Sequence, residues 1–273
     1  MQRIIDDTAS DELLMAMESN LIAFYSAYGR ANSSTLQATS DVVWFYTGIQ
    51  VSLFNGILSA QLKPDGVKST FDSLQAKIDE QGAPALWWIG PQSKPANLGS
   101  LLEQYGLQPA WELPGMAIDL ALVDHNPETI ANFTIQKVSN AEMQALWARI
   151  AAVGTGFPDV ATDALVRLEA ALADPQYKAQ HRYIGLLDGT PVATSALVLD
   201  SGVAGIYAVA TIPEARRKGI GRIMTVMPLL EARQIGYRVG VLQASSMGYS
   251  LYEKIGFRDV CNYRLYLQSN KER

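Results

Sequence analysis

The stretch "PEARRKGIGR", residues 213–222, decides the reading of this chain. Three basic residues run into Gly219-Ile220-Gly221. Apolar residues then recur at Ile220, Ile223, Met224 and Met227, the spacing of an amphipathic helix over residues 219–235. The first turn of a helix carries N–H groups without internal partners and the positive end of the helix dipole. Glycines there let an anion reach the backbone. With Arg216, Arg217, Lys218 and Arg222 beside the opening, the segment reads as a pyrophosphate cradle. Taken alone, it fits a solvated basic loop capping an ordinary helix equally well. Two other phosphate loops do not fit. No Gly-Lys-Ser/Thr follows at Walker spacing, and Met224 stands where a dinucleotide fingerprint needs its third glycine.

Upstream, "RYIGLLD", "PVATSALVLD" and "VAGIYAVAT" read as three strands joined by the turn pairs Asp188-Gly189 and Ser201-Gly202, hence antiparallel hairpins. Before them come a strand "FTIQKV" and helices over 140–153 and 162–173. Downstream lie the strand "RVGVLQA", a helix over 247–255 and the strand "YRLYLQ". An antiparallel meander that continues into strand–helix–strand units is α+β architecture.

A second segment sharpens the picture. Arg216-x-x-Gly219-x-Gly221, with Pro213 and the strand "YAVAT" before it, is followed one helix and one strand later by "LQASSMGYSLYEKIGF", residues 242–257. Together these resemble the two signature segments of the GNAT (GCN5-related N-acetyltransferase) family, over residues 133–267. The resemblance implies a mixed, mainly antiparallel sheet flanked by helices, with acetyl-CoA as cosubstrate. Arg216, Arg217, Lys218, Gly219, Ile220, Gly221 and Arg222 would hold its pyrophosphate. Val209, Ala210 and Thr211, on a strand splayed from its neighbour, would pair with the pantetheine arm. Ser245 stands where many members have an asparagine, and Tyr249 would touch the cofactor. Tyr252 matches the tyrosine that protonates the departing thiolate. Its spacing with Tyr249 and Ile255 also fits a buried helix face. Glu142, Asp159, Asp163 and His181 are the candidates for general base; Asp159 and Asp163 also suit the cap of a helix starting near Thr162. Pro228 lies inside the predicted cradle helix and should kink it two turns past the phosphate end.

The first half carries a fainter likeness. "WWIGPQSKPANLGSLLEQYGL", residues 87–107, lines up with the strand and helix ending in "YEKIGF". Leu102 stands at the place of Tyr252, and no Arg-x-x-Gly-x-Gly precedes residue 130. Residues 1–120 thus read as a degenerate copy of the same fold, residues 121–132 as a linker and residues 133–273 as the acetyl-CoA-binding domain. An unrelated α+β lobe fits the first half as well.

The bulk properties narrow the function. A net charge of −5 opposes nucleic acid as the main partner. One cysteine and two histidines exclude a disulfide framework and a Cys/His zinc site, so no metal is expected. No apolar run has the length of a membrane helix, which places the chain in the cytoplasm. The expected partners are acetyl-CoA and a small-molecule or peptide amine whose identity the sequence does not give. Two other functions remain open: a non-catalytic acyl-CoA-sensing module, and a serine hydrolase using Ser246 in "ASSMG". Against the hydrolase, both His125 and His181 precede the serine, the reverse of the order that fold requires.

Overall fold

The computed structural model describes residues 4–8, 10–31, 34–124, 129–172 and 180–268. They form two compact units, each drawn from two separate stretches of the chain. Met1–Asn20 joins Gly115–Val260, and Leu21–Pro114 joins Cys261–Arg273. These units do not follow the division 1–120 and 133–273 expected from sequence.

In the larger unit, strands β6 (Phe133–Lys137), β7 (Gln180–Leu187), β8 (Thr190–Asp200) and β9 (Val203–Thr211) form an antiparallel meander. Its two hairpin turns place Asp188-Gly189 and Ser201-Gly202 at positive φ, as the turn pairs foretold. Helix α6 (Ile220–Gln234) then crosses to β10 (Val239–Gln243), which runs parallel to β9 and antiparallel to residues 115–119 of β5 (Gln108–Asp119). Leu229 and Met224 of α6 pack with Leu242, Leu197 and Ile206 on one face of this sheet. The helix continues through Pro228 to Gln234, so the proline does not end it.

Helices α4 (Ala141–Thr155) and α5 (Asp159–Ala171) belong to the same unit. Helix α5 begins at Asp159, three residues before the predicted start. Asp159 therefore opens the first turn, and Asp163 lies inside the helix instead of capping it. A buried ion pair ties α5 to β7: Arg182 Nε lies 2.6 Å from Glu169 Oε2, and both side chains are almost wholly excluded from water. The same guanidinium stands 5.2 Å above the Trp147 ring, whose indole N–H donates to the Ser195 carbonyl at 3.1 Å. A buried charge is tolerated only when paired in this way.

The stretch 121–132, expected to be a linker, includes residues 125–128 and hence His125, which lie outside the described residues. Its described part is held on the larger unit. Val123 is buried, Ile130 packs on the core, and Arg233 donates to the carbonyls of Leu120 and Val123.

The smaller unit repeats the order of three strands, helix, strand, short helix and strand. Strands β1 (Thr35–Ala38), β2 (Val42–Tyr46) and β3 (Asn55–Ala60) precede α2 (Val67–Gln81), β4 (Ala85–Ile89) and α3 (Leu98–Gln104). Strand β4 runs parallel to β3 and antiparallel to residues 264–268 of β11 (Arg258–Gln268). Trp87, Phe71, Leu98, Leu102 and Tyr266 fill the core. Leu102, at the place of Tyr252, is entirely buried.

Candidate functional site

Strands β9 and β10 are paired only at Gly240–Ala204 and Val241–Gly205. Beyond these pairs they part, while β9 stays paired with β8 as far as Thr211–Ala193. One edge of β9 over residues 207–211, including Val209, Ala210 and Thr211, therefore has no strand beside it among the described residues. This is the splay that the family resemblance implied. The pairing of β8 with β9 shifts register between Thr194 and Ala196, and Ala208 adopts φ = 48°. Such a bulge re-aims the strand beyond it. Thr194 Oγ1 holds it by donating to the Ala208 carbonyl at 3.0 Å.

The basic loop lies between the end of β9 and α6. Arg217 (φ = 63°) and Gly219 (φ = 81°) are both left-handed, a conformation that turns successive N–H groups toward one side. The N–H groups of Arg217, Lys218, Gly219, Ile220 and Gly221 have no acceptor among the described residues. A row of unanswered donors at a helix N-terminus presents partial positive charge to one side. Arg217 and Lys218 are exposed and bond to no described residue.

Three residues of the loop have structural roles. Arg216 Nε donates to the Thr211 carbonyl at 3.1 Å and its Nη2 to the Gly154 carbonyl at 3.0 Å, so it fastens β9 and α4 to the loop. Gly219 is required by its positive φ. At Gly221 an added Cβ would sit a tight 3.2 Å from Leu251 Cδ2, so a side chain there presses on α7. Sequence reasoning assigned all three to phosphate alone.

Helix α7 (Tyr249–Ile255) supplies the tyrosines. Ser245 is exposed, and its hydroxyl accepts the Gly248 N–H at 3.2 Å, which starts the helix. Tyr249 donates to Asp259 at 3.0 Å, and that hydrogen bond, before any burial, pushes its hydroxyl pKa up. Tyr252 is half-buried, edge-on to Phe257 at 6.0 Å, and its hydroxyl bonds to no described residue. Burial pushes its pKa up to about 12, so it keeps its proton at neutral pH.

The proposed bases are dispersed. Glu142 and Asp159 are exposed in the first turns of α4 and α5. Asp163 is exposed and faces Arg149 at 3.5 Å. His181 Nδ1 lies 3.0 Å from both Lys137 Nζ and Glu231 Oε1. Glu231 is eleven residues past Ile220, roughly 16 Å along α6 from the phosphate end. Ser246 is exposed and bonds to no described residue.

The smaller unit treats the equivalent edge differently. The chain between β4 and α3, residues 90–97, is three residues longer than 244–248 and folds back on the end of β3. The Lys94 N–H donates to the Ala60 carbonyl at 2.8 Å, and the Leu62 N–H to the Lys94 carbonyl at 3.1 Å. Gln61 pairs in parallel with Lys94, and its side-chain amide donates to the Gln92 carbonyl. The turn before α2 carries Asp65 between Lys63 and Lys68, where the larger unit has Arg216, Arg217 and Lys218 in a row.

Residues 183–265 match the family described as FR47-like protein. A GCN5-related N-acetyltransferase from Kribbella flavida superposes with a TM-score of 0.65 at 18% identity, over 90% of this chain and 94% of that one. One from Sphaerobacter thermophilus gives 0.60 at 16%, over 98% and 94%. A tandem GNAT protein from the clavulanic acid biosynthesis pathway gives 0.62 at 10%, over 100% of both chains. No curated protein matches. The chain has the GNAT fold in tandem, and that fold is associated with acyl-CoA-dependent acyltransferases. No helix among the described residues is long and apolar enough to cross a membrane, and no cluster of three metal-ligating side chains occurs among them.

Proposed function

We propose that the larger unit is an acetyl-CoA-dependent N-acetyltransferase acting on a primary amine in the cytoplasm. The observation that carries this reading is the combination of an unpaired β9 edge with the unanswered N–H groups of residues 217–221. A linear ligand with amides at one end and a pyrophosphate at the other satisfies both. The pyrophosphate would lie against 217–221, flanked by Arg217, Lys218 and Arg222. Amides of the arm would pair with Val209, Ala210 and Thr211, Ser245 and Tyr249 would flank it, and a β9 N–H would polarise the thioester carbonyl.

In the reaction the neutral amine nitrogen attacks the thioester carbonyl carbon, the C–S bond breaks, and the thiolate takes a proton. Tyr252 is the donor in this reading. A hydroxyl near pKa 12 facing a thiol of ordinary pKa about 8.5 cannot hand over its proton outright without roughly 5 kcal/mol. Its work is therefore to hydrogen-bond the growing negative charge on sulfur. Transfer is completed as the attacking nitrogen sheds its own proton. No side chain is assigned as base, and water is the carrier.

Calorimetry with acetyl-CoA, followed by thiol release over an amine panel, tests the reading. Binding with no turnover on any amine would favour the sensing module, and absence of binding would end both. We further propose that the smaller unit is a copy that has lost the cofactor, since its own residues 92–94 take the open edge of β3.

A further inference from the structure

Strand β10 alternates its side chains between two faces. Leu242 lies in the core with α6, and an added Cβ on Gly240 would strike Leu229 of α6. Val241 and Gln243 therefore face the other side, where Asn20 and Tyr207 sit. Counting two residues past the last pair, Val241–Gly205, sets Gln243 level with Tyr207, where β9 and β10 have parted. Gln243 Nε2 is shielded from water there and has no hydrogen-bond partner among the described residues. Its neighbours on that face are committed. Tyr207 donates to Asn20 at 2.9 Å, and the Asn20 amide donates to the carbonyls of Val198, Asp200 and Val203. Turning the amide over only exchanges one unmatched polar atom for another.

A buried donor without a partner destabilises the free protein and calls for an explanation. Resting on the acyl-CoA reading above, we propose that Gln243 recognises the acyl group. Its Nε2–H donates to the acyl carbonyl oxygen of the thioester where β9 and β10 diverge. Gln243 is then a specificity residue that separates acyl-CoA from free CoA, which has no such oxygen.

The test is calorimetry of the full chain with acetyl-CoA and with CoA, for the native protein and for Gln243→Leu, beside thermal melting without ligand. The substitution should lower the ratio of acetyl-CoA to CoA affinity about 2- to 12-fold, the worth of one net hydrogen bond, and leave CoA affinity unchanged. Melting temperature should hold or rise, because leucine removes a shielded polar atom that has no partner among the described residues. Gln243→Glu, which keeps the shape without the donor, should lower the ratio too and serves if the leucine variant does not fold. An unchanged ratio overturns the proposal. So does equal loss of both affinities with a lower melting temperature, the signature of a structural residue. If the native chain binds neither molecule, the acyl-CoA reading fails first and this proposal with it.

Discussion

The Tyr252 ring lies across Gly248 so closely that an added Cβ would sit 2.8 Å from its Cε2 and 3.3 Å from its Cζ. Phe257 also meets the ring, edge-on at 6.0 Å, while the hydroxyl bonds to no described residue. Gly248→Ala should therefore displace the ring. We expect turnover to fall while the acetyl-CoA dissociation constant moves little. A variant with full activity would show that the placement of the ring does not matter.

Tyr252→Phe should lower turnover about 10²- to 10⁴-fold at nearly constant acetyl-CoA affinity. Because burial holds the hydroxyl near pKa 12, its ionisation should leave no basic limb in the rate profile below about pH 11. Tyr249→Phe is the control, and it removes only the hydrogen bond to Asp259. Equal losses in the two variants would take Tyr252 out of the mechanism.

The loop cations should separate into two kinds. Replacing Arg217 and Lys218 together by alanine should weaken CoA by about 1.5–3 kcal/mol, roughly 10- to 150-fold, with no change in melting temperature, since neither bonds to a described residue. Arg216→Ala should also lower the melting temperature, by the loss of its bonds to Thr211 and Gly154, about 1–2 kcal/mol in sum. Gly221→Val is not a clean probe of phosphate binding, because the branched side chain meets Leu251. Identical stability of the Arg216 and Arg217/Lys218 variants would contradict this division.

Burial opposes ionisation of Glu231, but hydrogen bonds from Lys137 and Tyr183 and the charges of Lys137 and His181 outweigh it, holding the carboxyl below its usual range. A lowered carboxyl pKa contributes stability that is complete above the ordinary value and is lost as pH falls through the lowered one. Glu231→Gln should therefore be less stable than the native chain at pH 7. The gap should close in acid below the ordinary carboxylate range. Melting curves at several pH values check this; a gap independent of pH would mean that Glu231 acts only through packing.

One CoA per chain is expected by native mass spectrometry. Hydrogen exchange at Leu62 and Lys94 should be unaffected by CoA, whereas 217–221 should be protected. Two bound molecules would refute the view that residues 92–94 take the place of a ligand in the smaller unit.

Much of this was legible in the sequence. The spacing of Arg216, Gly219 and Gly221, followed by Leu251-Tyr252-Glu253-Lys254, pointed to the fold through its resemblance to a known family, and of these residues only Gly219 answers a local backbone demand. Turn pairs such as Asp188-Gly189 gave the hairpins by answering demands of that local kind. Long-range partners were not legible. That Arg216 bonds to Gly154, sixty-two residues away, that His181 is held by Glu231, and that Gln243 is left unmatched all depend on which strands become neighbours. No local pattern encodes that. The start of α5 was missed because Pro158 fixes the helix entry, where the polar residues near Thr162 look like a cap.

One of the two strands beside Trp87 comes from residues 264–268, which are translated after every residue of the larger unit. The unit drawn mostly from the early chain is therefore the later of the two to close. Until those residues leave the ribosome, β4 has a bare edge, and edges of this kind seek other chains. A nonsense codon shortly before residue 264 would injure the unit made mostly of residues encoded well upstream of it.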